Sequence, residues 1–185
     1  MAYFEIYAAK GLRRKWQLYA EVSGAMSGVW LFWKHIEDKY LPKIYSSIRS
    51  NVPLSRLFID EGTKAKEIWN LWMDKRLTSA ERLVLFTTFD KKYLPFEHIP
   101  EVAKAYREVH TEMGNGSILS LIADKLEHLH NSHKDLKYLG FNATSVSYYE
   151  DIIGSCMDKK GLDNMWDDYL EAEKQIKEGD SKYEI

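Results

Sequence analysis

Apolar and polar side chains alternate in two segments near the start of the chain. A period of two is typical of a strand that is buried on one side. The segment between them, residues 10–14, contains a glycine and three basic residues, as a turn would. We therefore expect an N-terminal β-hairpin. The apolar positions are Phe4, Ile6 and Ala8 within residues 3–8, and Trp16, Leu18, Ala20 and Val22 within residues 16–22.

After Gly24 the apolar period becomes helical, and Pro42 predicts the end or a kink of that helix. The buried stripe of this helix consists of Val29, Phe32, Trp33, Ile36 and Tyr40. Similar spacing predicts further helices over residues 63–75, over 100–113, from Ser117 onward and over 163–178. Gly114 is expected to stop the predicted helix over residues 100–113. Residues 137–147 are expected to be extended.

One segment carries two conflicting signals. Thr78 and Glu81 have the spacing of a capping box, in which each side chain binds the backbone N–H of the other residue at the start of a helix. The following run, residues 83–89, is apolar and partly β-branched, which is typical of a buried strand. Both interpretations stay open at this point.

These elements together predict an α+β fold. The chain of 185 residues is long enough for one substantial core, and the sequence contains no long flexible linker. We therefore expect residues 1–185 to form a single globular domain, predominantly helical, with a small antiparallel sheet that includes the N-terminal β-hairpin.

Composition narrows the class of protein. The formal net charge is −2, which argues against general nucleic-acid binding. Cys156 is the only cysteine, so no intramolecular disulfide is possible. The N-terminal residues have no basic region followed by an apolar run, and the longest apolar stretch is too short to span a bilayer. We expect a cytoplasmic protein that does not act at a membrane, and no cofactor motif is present.

Three histidines lie close together in residues 127–133. Glu127 and His130 would share a helix face, as would His130 and His133, because residues three apart are neighbours. Glu-x-x-His is half of a di-metal carboxylate motif, but no second copy occurs in the chain. We interpret the cluster as a solvated helix end and predict neither a metal site nor a catalytic residue. A small metal-dependent hydrolase that uses His128, His130 and His133 is the alternative.

Charge is distributed unevenly along the chain. Residues 1–149 carry 21 basic and 17 acidic residues, whereas residues 150–185 carry 5 basic and 11 acidic residues. In the last predicted helix Asp163, Asp167 and Glu171 follow each other at intervals of four, which destabilises an isolated helix. A cationic partner would explain this column. The predicted partner-binding residues are the column itself, Asp168 beside it, and Tyr148, Tyr149 and Asp151 as a preceding rim.

The same helix should hold to the core by its other side, through Leu162, Trp166, Tyr169 and Ile176. Trp and Tyr also dominate the energetics of protein interfaces, and aromatic residues make up 14% of this chain.

Two short stretches, residues 87–95 and 140–147, resemble pieces of bacterial immunity proteins that neutralise contact-dependent or polymorphic toxins. The resemblance implies a compact cytosolic protein without catalysis of its own, and it assigns no functional residue. We therefore expect a non-enzymatic protein that binds a cognate partner, such as a basic toxin domain of the nuclease kind. A phage-encoded inhibitor of a host protein would have the same physical character.

Overall fold

The computed structural model of the chain describes residues 3–12, 14–23, 25–41, 71–88, 92–114, 118–142 and 159–179. The strands are β1 (Tyr3–Ala9), β2 (Gln17–Ser23), β3 (Lys92–Pro95) and β4 (Tyr138–Asn142). The α-helices are α1 (Ala25–Tyr40), α2 (Ser79–Thr88), α3 (Ile99–Met113), α4 (Leu119–Ser132) and α5 (Lys159–Lys177). Short 3₁₀ turns cover Leu71–Met73 and Phe96–His98.

The strands form one antiparallel sheet in the order β2-β1-β4-β3. The predicted hairpin is therefore present, and β1 also pairs with β4, which is distant in sequence. Phe4, Ile6 and Ala8 of β1 are almost completely buried, as their alternation predicted. The fold class, α+β and predominantly helical with a small antiparallel sheet, is confirmed.

The prediction that Trp16, Leu18, Ala20 and Val22 share one face of the second strand is wrong for the residues before Tyr19. The ladder between β1 and β2 shifts register after Ile6, which pairs with Ala20 while Tyr7 pairs with Leu18. Tyr19 is thus the extra residue of a bulge. The one-residue slip moves the side chains that precede Tyr19 in β2 to the opposite face of the sheet. As a result Leu18 is 45% exposed instead of buried.

The other face of the sheet has a small apolar cluster of its own. Trp16 lies there with its ring 6.1 Å from that of Tyr93, and Tyr93 in turn lies 5.8 Å from Tyr138. Ala9 is buried in the same cluster. The sheet is therefore covered by aromatic side chains on the side opposite to the main core.

Residues 79–88 are helical, which resolves the conflict between capping and composition. The capping box is formed: the Glu81 backbone N–H donates to Thr78 Oγ1 at 3.1 Å, and the Thr78 backbone N–H donates to Glu81 Oε2 at 2.8 Å. Every residue from Glu81 to Thr88 is buried, so α2 is the central helix of the core. A helix that is buried on all sides has a mostly apolar sequence without a polar face. By composition alone, such a sequence cannot be distinguished from that of a buried strand.

Helices α1, α3 and α5 contact α2. Helix α3 ends at Gly114, whose φ of 79° lies in the left-handed region that favours glycine, as expected for a residue that stops a helix. Helix α1 ends at Tyr40 and packs on α4. A Cβ atom at Gly28 of α1 would lie 2.8 Å from the Ile118 side chain, so glycine permits this close approach.

Parts of several predicted elements lie outside the described residues. These parts are Pro42, residues 63–70 of the second predicted helix, Ser117 as a helix cap, and residues 143–147. Within residues 137–142 the predicted extended segment is strand β4, and the last predicted helix is α5. The single-domain assignment stays a prediction.

Candidate functional site

Helix α5 packs on the core through aromatic side chains. The Trp166 and Tyr169 rings stack at 5.0 Å between centroids with an interplanar angle of 12°. Phe86 of α2 lies 5.7 Å from Trp166 and 5.0 Å from Tyr169, and Trp72 stacks on Tyr169 at 6.3 Å. Trp166 and Tyr169 were predicted as anchors, and both are buried. Ile176 is only half-buried, and the Leu162 side chain lies outside the described residues.

A buried ion pair holds the same helix to α2. Arg82, 1% exposed, donates to a carboxylate oxygen of Glu173 in α5. The Arg82 guanidinium also donates to the backbone carbonyls of Trp72 at 2.8 Å and Asp74 at 2.7 Å. Glu173 accepts a further hydrogen bond from Ser79 at 3.0 Å. All charges in this contact therefore have close partners, which a buried ion pair requires.

The predicted partner-binding residues that the structure describes point to solvent. Asp167, Asp168 and Glu171 are exposed on α5, and we call these three carboxylates the acidic face. None of them forms an ion pair with a described residue; Glu171 accepts one hydrogen bond, from Gln175 at 2.8 Å. Asp163 belongs to the same helix, but its side chain lies outside the described residues. Tyr148, Tyr149 and Asp151 also lie outside them.

The acidic face is thus held rigidly from behind. The aromatic contacts and the Arg82–Glu173 pair fix the rotation of α5 about its axis, so the exposed carboxylates keep their direction. Uncompensated like charges on one helix face cost a few tenths of a kcal/mol per pair. This arrangement is suited to electrostatic recognition of a cationic surface.

The histidines of residues 127–133 do not converge on one point. Glu127 binds Arg107 of α3 through two hydrogen bonds, at 3.0 and 2.7 Å. The His130 ring stacks on Phe96 at 5.7 Å, and the His133 ring lies edge-on to Tyr19 at 5.0 Å. These side chains contact three different parts of the fold. The two histidine rings pack against aromatic residues, and Glu127 forms an ion pair at the surface.

A more compact charged cluster joins α1, α2 and α3, and the sequence did not indicate it. Lys39 of α1 donates to the Glu81 carboxylate at 2.8 Å and to the Glu112 carboxylate at 2.5 Å. Tyr40 donates to the other oxygen of Glu81 at 2.7 Å. His35, one helical turn before Lys39, places Nε2 3.5 Å from Glu112 and 3.8 Å from Glu81.

His35, Glu81 and Glu112 together could supply three metal-ligating atoms, since these lie within 4.8 Å of one another. The Lys39 ammonium, however, already lies within hydrogen-bonding distance of both carboxylates, at the place that a metal cation would need. The cluster therefore contains its own cation. The signal available in the sequence was the i, i+4 spacing of His35 and Lys39, which puts both side chains on one face of α1.

Burial and hydrogen bonding oppose each other in setting the ionisation of this cluster. Burial disfavours the charged form of Glu81, but the hydrogen bonds from Lys39, Tyr40 and the Thr78 backbone outweigh it, so the pKa of the carboxyl is lowered. Burial also opposes the charge of Lys39, and the bonds to Glu112 and Glu81 raise its pKa nevertheless. Burial, followed by the bond to Glu81, raises the pKa of Tyr40 to about 12.

Glu81 should make the stability of the fold depend on pH. Because its pKa in the folded state lies below the ordinary value of 4.5, the unfolded chain binds the proton first as the pH falls. The stabilisation from Glu81 is complete above the ordinary value and is lost as the pH falls towards the folded pKa. We expect Glu81→Gln to lower the melting temperature at neutral pH, and the difference from the unmodified protein to shrink steadily below pH 4.5.

Thermal melts followed by circular dichroism at a series of pH values measure this difference. Glu108→Gln is the matched control, because Glu108 is exposed and its one ion pair among the described residues is with Lys104, at 3.5 Å. Its melting curve should run parallel to that of the unmodified protein at every pH. A gap between Glu81→Gln and the unmodified protein that stays constant with pH would show that Glu81 does not titrate as described.

Comparison with known proteins assigns no relative to this chain: no family model, curated protein or solved structure matches it. Among the described residues, none of the helices is both long and apolar enough to cross a membrane. The arguments about function therefore rest on the chain's own residues.

Proposed function

We propose that the chain is a non-enzymatic binding protein, a cytoplasmic immunity or inhibitor protein that neutralises a basic, nuclease-like toxin domain. The observation that supports this proposal is the acidic face, whose three exposed carboxylates have no ion-pair partner among the described residues. Nuclease domains are basic because their substrate is a polyanion. A rigid negative surface would meet such a domain in one orientation and speed their association.

The burial of polar groups near α5 supports a binding role for its outer side. Arg82 and Glu173, the two charged groups of this region that lie inward, are bound to each other and to neighbouring backbone or side-chain groups. The acids that remain unpaired all lie on the outside. In this position they are accessible to an external partner.

The proposal is tested by reversing the charge of the acidic face. Asp167→Lys combined with Glu171→Lys should leave the fold intact, since both side chains are exposed. We expect the association rate with a basic nuclease domain encoded beside this gene to fall by about 10- to 100-fold at low salt. The loss should diminish as salt rises, because surface charges are screened over about 10 Å at 0.1 M. Stopped-flow or surface-plasmon measurements give the rate, and inhibition of nuclease activity gives the functional effect.

The matched control places the same change of charge elsewhere. Glu21→Lys combined with Glu108→Lys alters two exposed glutamates, on β2 and α3, and should slow association only slightly. If the acidic-face variant folds, inhibits the nuclease and associates as fast as the unmodified protein, the acidic face is not the interface. If both variants slow association equally, net charge and not this surface is responsible.

A further inference from the structure

A basic groove adjoins the Phe96–His98 turn, which also contacts α5. It is a cavity of about 670 Å³ whose walls include Lys10, Lys134 and Lys137. Its apolar lining comes from Leu12, Phe96, Leu136 and Tyr138. A second cavity, of about 340 Å³, shares Lys10 and Leu136 with the first and adds Arg14 and Lys15. We call the two together the basic groove.

Positive charge prevails in this groove. Five lysine and arginine side chains line it, and Glu97 is the acidic lining residue among those that the structure describes; Asp135, outside the lining, binds Lys10 at 2.6 Å. Lys134 donates to the backbone carbonyl of His130 at 2.8 Å. Lys137 is exposed, and its ammonium has no ion pair with a described residue. The groove therefore offers cations around an apolar floor.

The chemistry that fits this groove is present on the chain itself. On α5, Leu170 is 42% exposed and lies three residues from Asp167 and beside Glu171, so one surface carries an apolar side chain among carboxylates. Acidic groups would meet the lysines, and the leucine would meet the apolar floor. An acidic helix of this kind is thus complementary to the groove in both charge and polarity.

The two surfaces are also close neighbours in the fold. Phe96 and Glu97 line the groove, while the next residue, His98, places its ring 4.8 Å from the indole of Trp166 in α5. Trp166 and Tyr169 face inward, so the acidic face of α5 points away from its own core and outward. Two complementary surfaces that adjoin one turn suit a two-fold arrangement, in which each copy contributes both surfaces and the contact closes on itself.

We propose that the basic groove is an interface for a second copy of this chain, which inserts the acidic face and Leu170 of its α5 while its own groove receives the same elements in return. This inference goes beyond the proposed function and needs no toxin. It adds a consequence for that function, since a basic partner and the second copy would compete for the same acidic face.

The proposal is tested with the full chain alone, by sedimentation velocity and by light scattering, over a range from about 10 μM to about 1 mM. The unmodified protein should form dimers as its concentration rises at low salt, and dimerisation should weaken as salt is added. A helix-reversed variant (Asp167→Lys, Glu171→Lys) and a groove-reversed variant (Lys134→Glu, Lys137→Glu) should each dimerise at least about tenfold more weakly, because like charges then face each other.

Mixing the two variants supplies the decisive result. In the mixed pair the reversed helix meets the reversed groove, and the unmodified helix meets the unmodified groove, so both contacts are attractive again. An equimolar mixture should therefore dimerise about as well as the unmodified protein. If the groove-reversed variant does not fold, Lys134→Gln with Lys137→Gln replaces it, and the mixture should then recover only part of the dimer.

Three outcomes would overturn the proposal. The first is an unmodified protein that stays monomeric over the whole concentration range at low salt. The second is a variant, folded by circular dichroism, that dimerises like the unmodified protein. The third is a mixture of the reversed pair that stays monomeric. None of these bears on whether the acidic face binds a nuclease, so failure here and failure of the proposed function are distinguishable.

Discussion

Replacing Arg82 with alanine should lower the free energy of unfolding by about 3–5 kcal/mol. The substitution leaves the Glu173 carboxylate in a buried position without its main cation. It also removes the donors for the backbone carbonyls of Trp72 and Asp74. Ser79 and the exposed Lys177 still contact Glu173, but a buried carboxylate that loses its buried cation keeps most of its desolvation penalty. Denaturant titration followed by tryptophan fluorescence measures the change, because Trp166 and Trp72 lie beside the site.

An exposed arginine provides the control. Arg107 binds Glu127 and Asp124 with short hydrogen bonds, but its partners are about half exposed, so Arg107→Ala should cost less than about 1 kcal/mol. Replacing both buried partners, as in Arg82→Met with Glu173→Leu, should recover much of the loss, because no unpaired charge remains. Equal losses for Arg82→Ala and Arg107→Ala would contradict the buried character of the Arg82–Glu173 pair.

Local periodicity located most elements of the fold. The alternation of residues 3–8 and the helical spacing of residues 29–40 correspond directly to β1 and α1. In these elements one side is more deeply buried than the other, so the side chains record which side faces the main core. Helix α2 lacks such a record, because its residues Glu81–Thr88 are buried on every side. There only the capping box, which concerns the first turn, distinguished a helix from a strand.

Pairing between distant segments could not be read from the sequence in the same way. The bulge at Tyr19, which exposes Leu18, depends on the register of β2 against β1 and not on the alternation within β2. The partner of β1 on its other side, β4, lies more than a hundred residues further along the chain. Register and strand order depend on side-chain fit between strands, which a single sequence does not display.

In the candidate site, too, the exposed residues could be predicted from the sequence but the long-range ion pair could not. The exposure of Asp167, Asp168 and Glu171 was predictable, because Trp166 and Tyr169 on the same helix fix which side is buried. Glu173 was not distinguishable from the other acids of α5, yet it is buried. Its partner Arg82 lies 91 residues away, and long-range ion pairs leave no periodic pattern in a sequence.

The charged cluster that joins α1, α2 and α3 was missed because its residues are far apart in sequence. Residues 127–133 concentrate histidines in sequence, but their rings contact separate parts of the structure. His35 stands alone in sequence, yet it lies beside Glu81 and Glu112, on two other helices. Density of ionisable residues along the chain is therefore a poor guide to their density in space.

Phe86 should be the apolar counterpart of Arg82 in holding α5. Its ring is completely buried and lies within 6.2 Å of the rings of Trp72, Trp166 and Tyr169. We expect Phe86→Ala to lower the free energy of unfolding by about 3–5 kcal/mol, because the substitution removes apolar burial and leaves a cavity between α2 and α5. Phe86→Leu, which keeps most of the volume, should cost about 1.5 kcal/mol or less. Leu121→Ala, at a position that is 44% exposed, should change stability by no more than about 0.5 kcal/mol.

The contributions of Arg82 and Phe86 to stability should depend on each other. Phe86 and Arg82 lie one helical turn apart on α2 and both contact α5, so loss of either loosens the contact on which the other depends. The double variant Arg82→Ala, Phe86→Ala should therefore lose less stability than the two single losses combined, by about 0.5–3 kcal/mol. Denaturant titrations of the single and double variants supply this coupling energy. Additivity within about 0.5 kcal/mol would mean that the polar and aromatic contacts hold α5 independently, so that either one alone keeps the acidic face in place.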